Sequence, residues 1–178
     1  WNQFLDLNFL RRRFPQWSLW GNREAFTARQ PGSVDAVSGA CMLLHSDTFR
    51  QLGGFASHFF MYGEDLDLCA RVRAAGRKVY HVPGAEVIHH GGGSSAGKFS
   101  KFSTVLMRQS VYRVIRSHQG RIAAGSYRLL MALSAFVRVL LLAPVCCLAG
   151  GRASGARYSA VRKWFSVLRW SIGGERWI

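Results

Sequence analysis

A run of 21 mostly apolar residues at 129–149 (LLMALSAFVRVLLLAPVCCLA) restricts the fold of this chain more than any other feature. A helix of that length can cross a bilayer. Two residues argue against a simple span: Arg138 would cost about 2.5–3.5 kcal/mol near the bilayer centre, and Pro144 would kink the helix. Two interpretations stay open, a membrane-embedded or re-entrant hairpin, which we favour, and a helix buried inside a soluble domain.

The charges of the chain are divided unevenly between its two halves. Residues 1–86 contain ten Lys or Arg and eight Asp or Glu, whereas residues 87–178 contain fourteen Lys or Arg and one acid, Glu175. The net charge of +15 therefore comes almost wholly from the second half. A basic block of this kind indicates an anionic partner, which can be a membrane surface, a diphosphate or a nucleic acid. Apolar residues make up 49% of the chain, which excludes a disordered tail.

Two basic helices are predicted on either side of the apolar run, at 102–118 and at 156–172. In the second of these, helical spacing gathers apolar side chains on one face (Tyr158, Val161, Phe165, Leu168 and Ile172). Such a composition is typical of a helix that lies in a membrane interface. The alternative is a helix packed on its own domain with a solvated basic face.

The first half of the chain has the pattern of a mixed α/β domain. Residues 34–45 predict a buried strand in which the backbone is closely approached at Gly39. A helix is predicted at about 64–75, because acids fill its first turn and a glycine follows its last. Two short strands are expected at 77–82 and 85–89.

A short helix is expected between the first strand and the acidic helix. Ser46 and Asp47 are placed to cap its start. Gly53 and Gly54 are placed to end it.

A series of short motifs runs in a fixed order through this first half. They are Ser-Gly-Ala at 38–40, Gly-Gly-Phe at 53–55, FFMYGEDLDLC at 59–69, Arg-Ala-Ala-Gly at 73–76, Val-Pro-Gly-Ala at 82–85 and HHGGGSS at 89–95. The whole series resembles the family 2 glycosyltransferases, especially the bacterial rhamnosyltransferase-like branch that builds cell-surface polysaccharides. One departure is Ala56-Ser57, where the family usually has an Asp after Gly-Gly-Phe.

The resemblance implies an α/β fold, a partial GT-A (nucleotide-diphospho-sugar transferase) domain followed by basic amphipathic and apolar helices. We expect residues 1–101 to form the acceptor-side part of this domain and residues 102–178 a basic, membrane-associated tail. The donor half with its metal-binding Asp-x-Asp is missing, and Asp65-Leu66-Asp67 has that spelling within a different motif. Because the sequence begins at Trp1 in mid-pattern, we expect a piece of a longer enzyme that is inactive without the donor half.

Inverting glycosyl transfer needs a carboxylate that takes the proton of the attacking hydroxyl. By resemblance Asp65 is this general base, and Glu64, Asp67, Gly39 and Ala40 contact the substrate, with Asp67 expected mainly to support the site. The residue types alone leave other roles open. Acids at a helix start commonly cap it and interact with its dipole, and a glycine in an apolar strand can serve packing only.

By resemblance, His89 completes a metal site whose carboxylates come from the missing half, and His90 is the weaker candidate. The expected cofactor is a divalent metal, Mn²⁺ or Mg²⁺; an imidazole ligand suits Mn²⁺ better, since Mg²⁺ prefers oxygen. A lone histidine at a strand end can also be structural. The glycine-rich loop at 91–97 is expected near the diphosphate, and the alternative is a mobile surface loop.

The predicted enzyme moves a sugar from a nucleoside-diphosphate sugar, such as an activated rhamnose, to a glycan or lipid-linked acceptor. Its expected place is the cytoplasmic face of the bacterial inner membrane, peripheral or partly embedded, against an anionic lipid surface. A sequence pI near 11 and interleaved Arg and Trp residues also suit a nucleic-acid-binding module. A third interpretation is a membrane-docking module without catalytic activity of its own.

Overall fold

The chain divides into two compact units, Trp1–Gly91 and Gly92–Ile178. The structure is a computed structural model, and it describes residues 13–14, 29–90, 101–149 and 155–174. The division lies ten residues before the boundary expected at 101. The first unit combines helices with a small sheet, and the second is helical.

Unit 1 contains two strands and two helices in its described part. They are β1 (Gly32–Val34), α1 (Ser46–Gln51), α2 (Glu64–Ala74) and β2 (Val79–His81). The strands pair antiparallel, with Gly32 opposite His81 and Val34 opposite Val79. The acidic helix predicted at about 64–75 is confirmed as α2, and it stops before Gly76, whose φ of 73° is left-handed.

The strand predicted over 34–45 is wrong in its extent, because β1 ends at Val34 and the chain turns at 39–40. Residues 36–44 still contribute apolar side chains to the core, which is built on Cys69, Val72 and Val79. The β-branched and apolar composition therefore reports burial here rather than strand pairing. The expected strand at 85–89 is also absent, since residues 85–90 are irregular in the structure.

The short helix α1 ends as predicted but begins differently. Its N-cap is His45, which makes no side-chain capping hydrogen bond, and Ser46 is already the first helical residue. The expected capping by Ser46 and Asp47 is therefore wrong. At the other end, Gly53 (φ 78°) and Gly54 (φ 70°) adopt the left-handed conformation that terminates helices.

Unit 2 consists of a long bent helix, α3 (Lys101–Ala149), and a following helix, α4 (Gly155–Ser171). Gly120 has φ 91° and ψ 177°, so α3 is two helical arms, which we call the N-terminal arm (101–119) and the C-terminal arm (121–149). A positive φ of this kind favours glycine. The bend lies at Gly120, and the helix runs on through Pro144, where a kink was expected.

Both arms of α3 pack against α4 around Trp170. This indole is 1% exposed, and its Nε1 donates a hydrogen bond to Gln109 Oε1 at 2.6 Å. Its ring meets Tyr112 of the N-terminal arm and Tyr127 of the C-terminal arm edge-on. Arg128 donates to the last two carbonyls of α4, each at 2.9 Å, and so satisfies groups that a helix end leaves unpaired.

The buried face of α4 differs from the predicted one. Trp164, Val167 and Trp170 face the arms of α3, whereas Tyr158 and Phe165 are exposed. Burying two indoles removes more apolar area from water than burying the predicted apolar face of this helix, which explains why Trp164 and Trp170 lie on the buried side. The helix is thus packed within its own unit through this face, and its contact with a membrane interface stays a prediction.

Candidate active site

The acidic helix α2 is entered through a tight backbone turn. Tyr62 (φ 66°) and Gly63 (φ 87°) are both left-handed, and Gly63 is the N-cap of α2. A left-handed tyrosine costs of order 1–3 kcal/mol, and such strain is concentrated at functional sites. The turn places Glu64 and Asp65 at the positive end of the helix dipole, where carboxylates are stabilised.

Asp65 is half-buried, and backbone N–H groups fix both of its carboxylate oxygens. Oδ2 accepts a hydrogen bond from the N–H of Gly39 at 2.9 Å, and Oδ1 accepts one from the N–H of Leu66 at 2.8 Å. A carboxylate offers about four lone-pair sites, so two such bonds leave acceptor capacity for a further donor. The side chain is thus oriented but still able to receive a proton.

The backbone of Gly39 lies close enough to Asp65 that a side chain on residue 39 would crowd the carboxylate. A Cβ atom on Gly39 would lie 3.3 Å from Asp65 Cβ and 3.5 Å from Oδ2. The close approach predicted at Gly39 is confirmed, and the approaching group is the Asp65 side chain. Ala40 is exposed, and its N–H donates to Ser38 Oγ at 3.3 Å. Contact of either residue with a substrate stays a prediction.

Asp67 points into unit 1 instead of toward solvent. It is 3% exposed, and its Oδ2 accepts a hydrogen bond from Arg71 Nε at 2.8 Å. The same guanidinium donates to the carbonyl of Leu52 at 2.6 Å and to that of Gly54 at 2.8 Å. Asp67 therefore holds the arginine that ties the end of α1 to α2, which favours the supporting role over substrate contact.

Glu64 lies beside Asp65 with one carboxylate oxygen out of reach of water. Its Oε2 is buried and has no hydrogen-bond partner among the described residues. A buried carboxylate oxygen without a donor is costly, and such groups are rare outside sites that use them. Because this oxygen is closed to solvent, it does not show that Glu64 contacts a substrate, and that contact stays a prediction.

Below these acids, the core keeps a cysteine neutral. Burial raises the pKa of the Cys69 thiol, and its sulfur lies 4.0 Å from the carbonyl oxygen of Val37. A neutral buried thiol is inert as a nucleophile. Cys69 is therefore a core residue and not a candidate nucleophile.

Comparison with known proteins decides the family. A model of the family described as "Glycosyltransferase like family 2" matches residues 8–115, more than half of the chain. The chain belongs to glycosyltransferase family 2. Membership implies the GT-A fold, of which the described residues show a small sheet flanked by helices. No solved structure matches the chain significantly.

Individual relatives of this family 2 chain include rhamnosyltransferases. The chain is 47% identical over 57 residues to N-acetylglucosaminyl-diphospho-decaprenol L-rhamnosyltransferase of Mycobacterium tuberculosis, covering 32% of the chain and 19% of that protein. It is 38% identical over 68 residues to rhamnosyltransferase WbbL of Escherichia coli, covering 38% and 26%. It is 36% identical over 55 residues to O-antigen biosynthesis protein RfbC of Myxococcus xanthus, covering 31% and 4%. The matched segments thus span between 4% and 26% of these relatives' own lengths.

Family 2 enzymes generally depend on a divalent metal, so we asked whether the described residues fit one. They do not: no group of three or more His, Cys, Asp or Glu residues is gathered in that part of the chain. His89 and His90 are exposed in an irregular segment. The role of His89 as a Mn²⁺ or Mg²⁺ ligand stays a prediction, and the loop at 91–97 lies outside the described residues.

Two residues that shape this family 2 site were missed by the sequence analysis. Arg71 follows Asp67 by four positions on a predicted helix, which is a recognisable ion-pair spacing. The left-handed Tyr62 has no comparable signal, since a tyrosine in a loop gives no indication of its φ.

Proposed function

We propose that this chain supplies the acceptor-side part of an inverting glycosyltransferase. The enzyme would move a sugar, such as rhamnose, from a nucleoside-diphosphate sugar to a glycan or lipid-linked acceptor in cell-surface polysaccharide synthesis. Family membership and the names of two rhamnosyltransferase relatives support the reaction class. The observation that carries the proposal is the half-buried Asp65, oriented by the Gly39 N–H at the start of α2.

In the proposed reaction, Asp65 acts as the general base. A hydroxyl oxygen of the acceptor forms a bond to the anomeric carbon while the bond from that carbon to the diphosphate breaks on the opposite face. The hydroxyl proton passes to a carboxylate oxygen of Asp65, which has acceptor capacity left. Its fixed orientation removes part of the entropy cost of aligning base and hydroxyl. Glu64 would accept a hydrogen bond from a neighbouring acceptor hydroxyl.

The proposed place of the enzyme is the cytoplasmic face of a bacterial inner membrane. The basic second half of the chain suits an anionic lipid surface, and a lipid-borne acceptor would be presented there. By length and composition alone, Ser103–Pro144 is long and apolar enough to cross a membrane. Binding of the enzyme to the membrane would bring a cytosolic sugar donor and a membrane-bound acceptor to one site.

The test is Asp65→Asn in the complete enzyme that contains this segment. Asparagine keeps the size of the side chain but cannot take a proton, so we expect transfer to fall by about 10²–10⁴-fold. Donor binding and the thermal midpoint of unfolding should stay close to those of the parent enzyme. Transfer at a near-normal rate by the variant would refute the assignment of the base.

A further inference from the structure

The C-terminal arm of α3 presents one continuous exposed apolar face. Its large exposed side chains are 42–88% accessible. From Leu129 onward they recur every three or four residues, and Ile122 lies seven residues before Leu129, so all of them are on one side of the helix: Ile122, Leu129, Leu130, Leu133, Phe136, Val137, Leu140 and Leu141. We call these eight residues the apolar stripe. It extends roughly 30 Å along the helix axis at 1.5 Å per residue. Contiguous apolar surface of this size marks an interaction site.

The opposite side of the same arm is packed within unit 2. Tyr127, Met131 and Ala135 are buried there, and Ala135 packs against Trp164 of α4. Arg138 belongs to this packed side, because its guanidinium lies 4.2 Å from the centre of the Trp164 ring and donates to Ser134 Oγ. The arginine that argues against a bilayer span is therefore not part of the apolar stripe.

The packing of unit 2 argues against a crossing. The C-terminal arm is held to α4 through the Trp164 and Trp170 contacts, so it cannot enter a bilayer without carrying α4 with it. The outer face of α4 carries exposed Arg162 and Arg169. Placing these arginines in hydrocarbon would cost about 2.5–3.5 kcal/mol each, whereas a helix lying in the interface leaves them among lipid headgroups.

The charge of unit 2 determines which partner fits the apolar stripe. Between residues 87 and 174 the sequence contains no Asp or Glu. Two copies of such a cationic surface would repel each other, which disfavours a dimer through this face. An anionic phospholipid leaflet offers both an apolar layer for the stripe and opposite charge for the arginines.

We propose that unit 2 binds an anionic phospholipid leaflet side-on, with the apolar stripe at the boundary between headgroups and acyl chains and the C-terminal arm parallel to the bilayer plane. The chain does not cross the membrane in this arrangement. The proposal rests on the membrane location given under the proposed function. It adds which face of unit 2 contacts the lipid, how the C-terminal arm is oriented to the bilayer plane and how deeply the apolar stripe is inserted. It needs neither the sugar donor nor the general base.

Flotation of the 178-residue chain with phosphatidylglycerol-containing vesicles tests the docking face. No nucleotide sugar or acceptor is present, so failure to bind would leave the transfer chemistry untouched. We expect Leu133→Glu to weaken vesicle binding at least tenfold. The matched control is Leu43→Glu, which changes a fully exposed leucine of unit 1 and should stay within about twofold of the parent chain. Circular dichroism verifies that both variants are folded.

Two outcomes of the flotation experiment would overturn the docking proposal. One is equal binding to vesicles of neutral phosphatidylcholine alone, since the arginines would then have no role. The other is unchanged vesicle binding by the Leu133→Glu variant. A second measurement, the oligomeric state in solution, then identifies the partner: the parent chain would be a dimer, and the variant would be a monomer. The stripe would then contact a second copy.

Depth measurements distinguish side-on docking from a crossing. Leu130→Cys and Leu141→Cys, each in a variant whose native cysteines are replaced by alanine, carry a nitroxide label at two positions of the apolar stripe that are eleven residues apart. Side-on docking predicts equal depths for the two labels, whereas a crossing separates them by about 16 Å along the bilayer normal, at 1.5 Å per residue. Depths that differ by most of that distance would overturn the orientation.

Discussion

Replacing Gly39 by alanine perturbs the geometry of the proposed base without touching the base itself. The added methyl group would lie 3.3 Å from Asp65 Cβ, so the aspartate must shift by a few tenths of an ångström. The backbone tolerates alanine, because Gly39 is not among the glycines of positive φ. Stretching the exposed hydrogen bond between Gly39 N–H and Asp65 Oδ2 should cost at most about 1 kcal/mol of folding free energy.

The effect on catalysis should be larger than the effect on stability. A misplacement of 1 Å at a reacting centre costs about 10²-fold in rate, so a shift of a few tenths of an ångström corresponds to about three- to tenfold in kcat/KM. The assay is steady-state transfer by the complete enzyme, together with its thermal midpoint. Gly84→Ala is the matched control, because an added methyl there meets nothing within 4 Å. Equal turnover by the two variants would refute the claim that the Gly39 N–H positions the base.

Two further predictions concern stability. Asp67→Asn should lower the free energy of unfolding, measured by denaturant titration, by about 3 kcal/mol, because it leaves the half-buried Arg71 charge without its carboxylate. The control is Asp47→Asn, which breaks an exposed ion pair with Arg50 and should cost less than 1 kcal/mol. Burial raises the pKa of Tyr127 from 10.0 to about 12, so stability that is present below pH 10 should be lost as the pH rises to 12. The loss approaches about 3 kcal/mol, and Tyr127→Phe should remove this part of the pH dependence. Equal losses for the two Asp variants, or an unchanged pH profile for Tyr127→Phe, would contradict these assignments.

The sequence predicted helices better than strands in this chain. The start and end of a helix have local sequence signals, such as the acids at the start of α2 and the left-handed Gly76 after its end. A strand depends on a partner elsewhere in the chain, and residues 36–45 have the composition of a strand without a pairing in the described structure. Apolar, β-branched composition indicates burial, and burial does not require a ladder of backbone hydrogen bonds.

The candidate site was predictable in its residues but not in its contacts. The motif series identified Asp65 and Gly39 separately, and the sequence even indicated a close approach at Gly39. The partner in that approach lies 26 residues away, and no local pattern gives a contact of that range. By contrast, Asp67 and Arg71 are four residues apart on one helix, so their pairing could have been derived from sequence spacing alone.

The division of charge between the two halves of the chain acquires a physical reason from the structure. Apart from Glu86, which is exposed in the irregular segment after β2, the described acids of unit 1 lie at helix starts, beside arginines or in the candidate site. The described residues of unit 2 include no acid, and two of its arginines are held in other ways: Arg128 donates to the carbonyl end of α4, and Arg138 lies over the Trp164 ring. Carboxylates paired with these arginines would reduce the attraction of the unit for an anionic surface. A cationic unit whose arginines are held by carbonyls and indoles keeps its net charge, and it can therefore fold independently of the lipid that we propose it binds.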